Sequence, residues 1–293
     1  MKKITLSSYA KINLSLDVSN LRSDGYHDIC SVAQVIDIAD ALEIYAAADG
    51  VIDVVVEDGD APSGSDNIIY HACDAFFKTT GIEPGVRIVL RKRIPMQAGL
   101  GGGSGNAAAA VAGLNRLYGN VLSADDMAAI AAKVGSDTAL FIYGGTVCIS
   151  GRGEHVERLN DAPTFHLAVL KPRVGVSTKW AYSELDRRNA IGYGDGTNRV
   201  KSAIEDASYP QLIAALSNDF DPVITELIPE IARAKGHLNQ AGAETTLLCG
   251  SGSAVFGVFD FEYKAQTAIN GLGSDIEMAF ACRTLTRAES TLV

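Results

Sequence analysis

A run of glycines is the segment of this chain that most clearly indicates chemistry. Gly99, Gly101, Gly102, Gly103 and Gly105 fall within seven residues, between a strand-like segment and an alanine-rich segment that predicts a helix. Without Cβ atoms, backbone N–H groups can approach an anion closely, and the following helix N-terminus adds partial positive charge. The run therefore predicts a phosphate-binding loop, with a flexible connector as the alternative.

The sequence around this loop excludes two common phosphate-binding folds. A Walker A loop ends in Gly-Lys-Ser/Thr, whereas Ser104 is followed here by Gly105. A dinucleotide-binding fold requires a strand with an acidic end after the helix. The helix predicted from about Ala107 to Leu117 is instead followed by a second helix, announced by a capping-box pattern at Ser123.

Three further polar residues are candidates for catalysis. From Ile4 to Val18 the apolar residues fall on even positions, so Lys11 and Asn13 are predicted to project from the polar face of one strand. Asp137 lies at a predicted helix start, where the helix dipole favours an ionised carboxylate. The structural alternatives are a solvated lysine, a surface asparagine and a simple helix cap.

Composition places these residues in a globular protein. The chain has 293 residues, 47% hydrophobic and 20% charged, which supports a sizeable core and argues against extended disorder or a coiled coil. Length suggests two domains, and the better boundary is near residue 160, giving domains 1–160 and 161–293. The net charge of −10 argues against a general nucleic-acid binder but not against a small anionic ligand.

Cysteine usage and hydropathy predict the compartment. The five cysteines are scattered with no CxxC spacing, so we expect reduced core residues, with a zinc site or disulfides as alternatives. Neither a signal-peptide-like region nor an apolar run of about 18 residues occurs, so no membrane association is expected. A cytoplasmic protein is the prediction.

The glycine segment resembles the ATP-binding motif of the GHMP kinases, which phosphorylate small metabolites. The motif runs from Pro95 through Gly99-Leu100-Gly101-Gly102-Gly103-Ser104 to Asn106-Ala107-Ala108. The resemblance implies an α+β fold of two lobes, an N-terminal ATP-binding lobe and a C-terminal substrate lobe, with the active site in the cleft between them. It also implies ATP and Mg²⁺ as cofactors.

Other motifs are similar to one branch of these kinases, whose acceptor is diphosphocytidyl methylerythritol. That branch phosphorylates the acceptor's 2-hydroxyl in the non-mevalonate route to isoprenoids. The similar segments are Tyr9–Leu14, Asp24–His27, Gly135–Asp137, Gly175–Tyr182, Asn218–Phe220 and Gly250–Ala254. The chain departs from the branch at Gly105, where a serine is frequent, and at Thr138-Ala139, where Val-Pro is usual.

The resemblance implies a role for each matching residue. Asp137 would be the general base and Lys11 its cationic neighbour. Tyr26 and Tyr182 would stack on the cytosine, whose edge His27 would recognise. Asn13 and Thr178 would bind the rest of the substrate, although Thr178 as a helix N-cap is an alternative. The implied ATP-binding residues are Asn67, Lys92, Pro95, Gly99, Leu100, Gly101, Gly102, Gly103, Ser104 and Gly105.

Some details of the ATP site remain open at this level. Lys92 falls on the same alternating positions as the apolar residues of its predicted strand. Its charge is therefore expected either at a frayed strand end or inside a site. Ser104 would lie near the metal, and no carboxylate cluster indicates a metal cage, so Mg²⁺ is expected to bind largely through ATP and water. The turn Gly250–Gly252 would close the site from the second lobe.

Two other functions compete with this prediction. One is a GHMP-type kinase for a different small alcohol, which would not need the Asp24–His27 motif together with Tyr182. The other is a binding protein on the same fold without catalysis, against which the presence of both Lys11 and Asp137 argues.

Overall fold

Two β-sheets and the helices packed on them organise the chain. The computed structural model describes residues 3–48, 50–188, 190 and 194–293. The strands are β1 (Lys3–Leu21), β2 (His27–Ala46), β3 (Val51–Asp58), β4 (Gly85–Arg91), β5 (Thr146–Gly151), β6 (His155–Arg158), β7 (His166–Pro172), β8 (Ser217–Asn218), β9 (Thr245–Leu248), β10 (Val255–Phe259) and β11 (Ile276–Arg283).

The helices lie mostly between the strands in sequence. They are α1 (Ile68–Thr80), α2 (Gly102–Leu117), α3 (Ala124–Ala132), α4 (Thr138–Tyr143), α5 (Thr178–Arg188), α6 (Gly196–Glu205), α7 (Tyr209–Ala215), α8 (Phe220–Leu227), α9 (Pro229–Gln240), α10 (Glu262–Ala268) and α11 (Arg287–Ser290), with a 3₁₀ turn at Gly64–Asp66. Within the described ranges, no helix is both long and apolar enough to cross a bilayer.

The sheets divide the chain into the two predicted lobes. The first sheet has the order β3-β4-β2-β1-β8, with β5 added to β2 and β6 to β5. The second has the order β11-β7-β10-β9. The α+β prediction is confirmed. β6 ends at Arg158 and β7 begins at His166, but β8 returns to pair with β1 in the first sheet, so the boundary near residue 160 stays a prediction.

Strand β1 carries the first two candidate catalytic residues. Its even positions from Leu6 to Val18 are buried, as the alternation predicts. Lys11 and Asn13 on the other face are also buried, at 4% and 2% exposure. The register with β2 shifts between Tyr9 and Ala10 and again between Asn13 and Ser15. The segment 11–13 therefore lies between two irregularities, a device that re-aims side chains near active sites.

Helix α2 begins earlier than predicted. Its first residue is Gly102, and the preceding Gly101 has a φ of 72°, so Gly102, Gly103 and Gly105 are helical rather than part of an extended loop. The prediction started this helix too late because glycine has a low helix propensity. Packing overrides propensity here: a Cβ at Gly105 would lie 2.8 Å from the carbonyl oxygen of Tyr9, so only a glycine lets the helix approach β1 this closely.

Local signals predicted other helix ends correctly. Asn67 caps α1, because its Oδ1 accepts a hydrogen bond from Ile69 N at 2.9 Å. Ser123 and Asp126 form the predicted capping box at the start of α3. These caps satisfy backbone N–H groups that a helix start leaves unpaired. They fix where α1 and α3 begin, on either side of the glycine-bearing helix α2.

Candidate active site

A cleft of about 850 Å³ collects the candidate catalytic and substrate residues. Both halves of the chain line it. The predicted residues on its wall are Lys11, Asn13, Tyr26, His27, Gly99, Gly101, Asp137, Thr178, Tyr182, Gly250 and Ser251. The structure therefore brings together, in one place, residues more than 200 positions apart in sequence, such as Lys11 and Gly250.

Lys11 is held by Asn13 beside Asp137. Lys11 Nζ donates to Asn13 Oδ1 at 2.8 Å and lies 3.8 Å from Asp137 Oδ2. Asn13 Nδ2 in turn donates to Ser31 Oγ at 2.8 Å. The Lys11 backbone N–H donates to Leu100 O at 2.9 Å, so the same residue also ties β1 to the glycine loop. The ammonium is thus buried, paired and fixed in direction.

Asp137 precedes helix α4 but makes no side-chain cap. This excludes the simple N-cap that the sequence left open. Its carboxylate side chain stays 35% exposed, on the cleft wall. The neighbouring turn lies close to it, since a Cβ added at Gly153 would be 3.4 Å from Asp137 Oδ1. The carboxylate is therefore held at the cleft surface and remains able to accept a proton.

The two predicted stacking tyrosines also line the cleft, and they differ in environment. Tyr26 is 55% exposed, and the guanidinium of Arg152 lies 4.4 Å from its ring centroid. Tyr182 is largely buried, and burial together with the charge of Asp137 raises its pKa to about 12. Its phenol is neutral at physiological pH. Both rings line the cleft, and their stacking on cytosine stays a prediction.

His27 stacks on Tyr182, with ring centroids 5.1 Å apart and an interplanar angle of 16°. Its Nδ1 lies 2.7 Å from Ser19 O. A carbonyl oxygen only accepts, so Nδ1 carries the proton of that bond. The buried Nε2 has no hydrogen-bond partner in the described part of the chain, although Asp186 Oδ1 lies 3.4 Å away. His27 therefore offers an unpaired ring nitrogen beside the Tyr182 face.

The second lobe contributes a glycine turn to the cleft. Thr178 is the first residue of α5 rather than its cap, and its Oγ1 lies 3.2 Å from Ser251 Oγ. The buried Asn218 holds this turn from behind, because its Nδ2 donates to Leu248 O at 2.9 Å and to Gly250 O at 2.8 Å. Gly250 and Ser251 of the turn line the large cleft, and closure of the ATP site by this turn stays a prediction.

A second pocket, of about 400 Å³, lies on the other side of the glycine loop. Gly99 and Gly101 line both pockets, so the loop forms a shared wall. The predicted ATP residues on the wall of the second pocket are Asn67, Lys92, Pro95, Gly99, Leu100, Gly101, Gly102, Gly103 and Ser104. Gly105 is not on this wall; it packs against β1 instead.

Two of these residues also have structural partners. Asn67 caps α1 and donates through Nδ2 to Pro62 O at 2.7 Å. Lys92 lies one residue beyond the end of β4, and its side chain is only 6% exposed, with Nζ 2.6 Å from Asp40 Oδ2 and 2.6 Å from Ile94 O. Burial lowers the pKa of Lys92, and the Asp40 carboxylate opposes that shift. The positive charge of Lys92 is therefore balanced by the Asp40 carboxylate, beside the glycine loop.

Sequence reasoning missed several residues of the two pockets. Arg152 and Lys179 line the large cleft and add positive charge to it. Asn106 lines the smaller pocket, and its buried Oδ1 has no hydrogen-bond partner among the described residues. Asn106 belongs to the glycine motif, and this position in the motif could have identified it as a residue of the site. Arg152 lies in a short turn with no pattern of its own.

The cleft lacks a preformed metal cage in the parts of the chain that the structure describes. No group of three or more His, Cys, Asp or Glu side chains could hold a metal ion there. The oxygen ligands available on the walls of the two pockets include the Ser104 hydroxyl and the carboxylates of Asp66 and Asp137. Such a sparse set fits Mg²⁺, which keeps several waters and binds largely through substrate phosphates.

Comparisons with known proteins agree with this architecture. Residues 67–145 match the GHMP kinases N terminal domain, and residues 200–275 match the GHMP kinases C terminal domain. A 4-diphosphocytidyl-2-C-methyl-D-erythritol kinase of Bacillus subtilis is 36% identical over 276 residues, covering 94% of this chain and 95% of the relative. The corresponding kinase of Shouchella clausii is 36% identical over 283 residues, covering 97% and 95%.

This chain belongs to the GHMP kinases, in the 4-diphosphocytidyl-2-C-methyl-D-erythritol kinase family. A crystal structure of a 4-(cytidine 5'-diphospho)-2C-methyl-D-erythritol kinase superposes on this GHMP kinase with a TM-score of 0.81 at 29% identity, covering 96% of this chain and 99% of that one. Homoserine kinase from Cytophaga hutchinsonii shares the fold, with a TM-score of 0.74 at 21% identity, covering 99% and 96%. The GHMP kinase fold and an ATP-dependent kinase activity, both expected from the glycine motif, are confirmed.

Proposed function

We propose that this kinase transfers the γ-phosphoryl group of ATP to the 2-hydroxyl of 4-diphosphocytidyl-2-C-methyl-D-erythritol. One observation carries the proposal: the Lys11–Asp137 pair, glycines of the loop and an aromatic, cationic group of Tyr26, Tyr182 and Arg152 all line a single cleft. An elongated acceptor with an alcohol at one end and a nucleotide at the other would contact both. The names of the relatives agree with this acceptor.

The geometry supports direct phosphoryl transfer. Asp137 accepts the proton of the acceptor hydroxyl as its oxygen bonds to the γ-phosphorus and the bond from that phosphorus to the ADP oxygen breaks. Lys11 is placed to offset the negative charge on the transferring group. Such transition states are loose, so positioning and electrostatics supply most of the catalysis. The predicted Mg²⁺ would neutralise phosphate charge, held mainly by ATP and water, with the Ser104 hydroxyl as a candidate protein ligand.

The glycine loop and the smaller pocket are suited to ATP. Backbone N–H groups at the start of α2 would hold the phosphates, as helix N-termini do. A buried amide oxygen without a partner is costly, so Asn106 Oδ1 is suited to a ligand donor such as an amine of the adenine or a ribose hydroxyl. Lys92, already paired with Asp40, would contribute to this pocket as part of its wall.

Recognition of cytosine would rest on His27. Nδ1 donates to Ser19 O, so a ring that carries only this proton presents the lone pair of Nε2. The 4-amino group of cytosine can donate to that lone pair, whereas the 4-carbonyl of uracil would meet it with another acceptor. Because His27 lies near-parallel to Tyr182 and offset from it, a base stacked on Tyr182 would present its edge to His27.

The test compares three acceptors with ATP: the cytidyl substrate, its uridyl analogue and the methylerythritol phosphate without the nucleoside. We expect the cytidyl substrate to have by far the highest kcat/KM, and His27→Ala to reduce its advantage over the uridyl analogue. Equal use of the acceptor without the nucleoside would instead support a kinase for a different small alcohol. A cytoplasmic location is part of the proposal, consistent with five free cysteines.

A further inference from the structure

Ser31, on strand β2, contacts Asn13, the hydrogen-bond partner of Lys11. It is fully buried, with no exposed surface. Its Oγ accepts a hydrogen bond from Asn13 Nδ2 at 2.8 Å, and its O–H donates to the carbonyl oxygen of Ser15. Ser31 therefore contacts Asn13 on the side opposite Lys11.

The direction of these bonds is fixed by their chemistry. The Ser15 carbonyl can only accept, so the single hydroxyl proton of Ser31 points to it. Toward Asn13, Ser31 then offers only a lone pair, which requires the amide nitrogen of Asn13 on that side. The amide oxygen consequently faces Lys11 Nζ, at 2.8 Å. The three hydrogen bonds form a chain in one direction: Lys11 donates to Asn13, Asn13 donates to Ser31, and Ser31 donates to Ser15.

Ser31 also lies where the backbone ladder is interrupted. The β1–β2 register shifts between Asn13 and Ser15, and Leu16 pairs with Ser31. A bulge leaves backbone groups without their regular partners, and the Ser31 hydroxyl supplies one to the Ser15 carbonyl. The same side chain thus closes the bulge and orients the amide that the bulge turns toward the cleft.

We propose that Ser31 is a positioning residue that fixes the Asn13 amide and, through it, the place of the Lys11 ammonium 3.8 Å from Asp137. Ser31 touches neither substrate. Without its acceptor, the Asn13 amide can rotate, and Lys11 loses a fixed partner next to the transferring phosphoryl. The inference rests on the proposed roles of Lys11 and Asp137, and it deepens the function of that site.

The kinetic test is a double-mutant cycle of Ser31→Ala and Asn13→Ala. Ser31→Ala should lower kcat about tenfold, the usual scale of one lost buried hydrogen bond, while the KM for ATP stays within about twofold. In the Asn13→Ala background it should cause no further loss. Ser8→Ala is the matched control, because Ser8 is a buried serine of the same sheet whose hydroxyl has no partner in the described residues.

Unchanged kcat in Ser31→Ala, or an equal loss in the Asn13→Ala background, would overturn the proposal in favour of a purely structural serine. If Ser31→Ala does not fold, Ser31→Cys keeps the volume with a poor hydrogen-bonding group, and the same cycle applies.

A second readout does not depend on the acceptor. The Asn13 side-chain amide signal, assigned by its loss in Asn13→Ala, should exchange with deuterium faster in Ser31→Ala; unchanged exchange overturns the proposal. If the wild-type enzyme does not phosphorylate the proposed substrate but the exchange effect is observed, the proposed substrate is wrong and the positioning role of Ser31 stands.

Discussion

Lys11 and Asp137 lie side by side on the wall of the cleft, with Nζ 3.8 Å from Oδ2, too far apart for a direct hydrogen bond. Lys11 gives its hydrogen bond to Asn13 instead. An acceptor hydroxyl placed in this gap could donate to the carboxylate and remain next to the ammonium. The separation thus leaves Asp137 free to take a proton, which a tight ion pair would hinder.

Asp137→Asn should nearly abolish turnover while ATP still binds. The substitution keeps the size of the side chain but removes the proton acceptor, and a general base contributes roughly 10²–10⁴-fold. Steady-state kinetics and calorimetric ATP titration on the same protein check both parts. Turnover within a few-fold of the wild type would exclude Asp137 as the base.

Gly103→Ala should raise the KM for ATP without destabilising the protein. A Cβ at Gly103 would meet only Ile68 Cγ2, at 3.8 Å, so the protein itself has room for a methyl group. A phosphate approaching the backbone would not. Gly236→Ala in α9 is the matched control, since a Cβ there meets nothing within 4 Å and lies far from the glycine loop. An unchanged KM for ATP in Gly103→Ala would mean that no phosphate occupies this space.

Tyr182→Ala should weaken the cytidyl substrate and leave ATP affinity unchanged. Base–aromatic stacking contributes about 1–3 kcal/mol, which corresponds to roughly 5–150-fold in Kd. Tyr182→Phe retains the ring and its edge contact with Phe220, at a centroid distance of 4.9 Å, so it should bind the substrate nearly as the wild type does. Equal substrate affinity in the alanine and phenylalanine variants would place the base elsewhere.

Arg152→Ala should raise the KM for the cytidyl substrate about tenfold, because it removes both a cation from the cleft and the group that covers Tyr26. Arg158→Ala is a close control on the same hairpin, since Arg158 lies 4.2 Å from the ring centroid of Tyr143, outside the cleft. Kinetics at two salt concentrations would check the charge contribution. Similar effects of the two substitutions would assign the loss to hairpin stability.

Cys30 should react with iodoacetamide at pH 7 faster than the other thiols. A hydrogen bond from Cys148 lowers the pKa of the Cys30 thiol, although burial opposes the shift. A lowered pKa means more reactive thiolate at a given pH. Burial raises the pKa of Cys249 to about 12, so that thiol stays protonated. Peptide mapping after brief labelling measures both, and Cys148→Ala should slow Cys30. Equal labelling of Cys30 and Cys249 would contradict the expectation.

The sequence predicted what local patterns and motifs encode. The alternation in β1, the caps at Asn67 and Ser123 and the glycine loop all depend on neighbours a few residues away, and each is present in the structure. The glycine motif also led to the right family. The start of α2 was misplaced because packing against β1 outweighs the poor helix propensity of its glycines.

Long-range pairings could not be predicted in the same way. Asp40 and Lys92 are separated by 52 positions and form a buried ion pair that no spacing rule indicates. The polar face of β1 was expected to be either functional or solvated, and only the tertiary structure shows that Lys11 is buried. Arg152 and Ser31 gain their importance from what they contact, which their sequence context does not reveal.

Gly99 has a consequence for chemical inhibition. A methyl group there would lie 1.8 Å from the carbonyl oxygen of Cys249, so the glycine loop of one lobe rests directly on the backbone of the other. No side chain can be accommodated at this point without moving a lobe. An inhibitor that hydrogen-bonds to the loop's backbone would therefore address atoms that resistance mutations cannot readily alter, whereas one anchored on the exposed Tyr26 ring could be evaded by a single substitution.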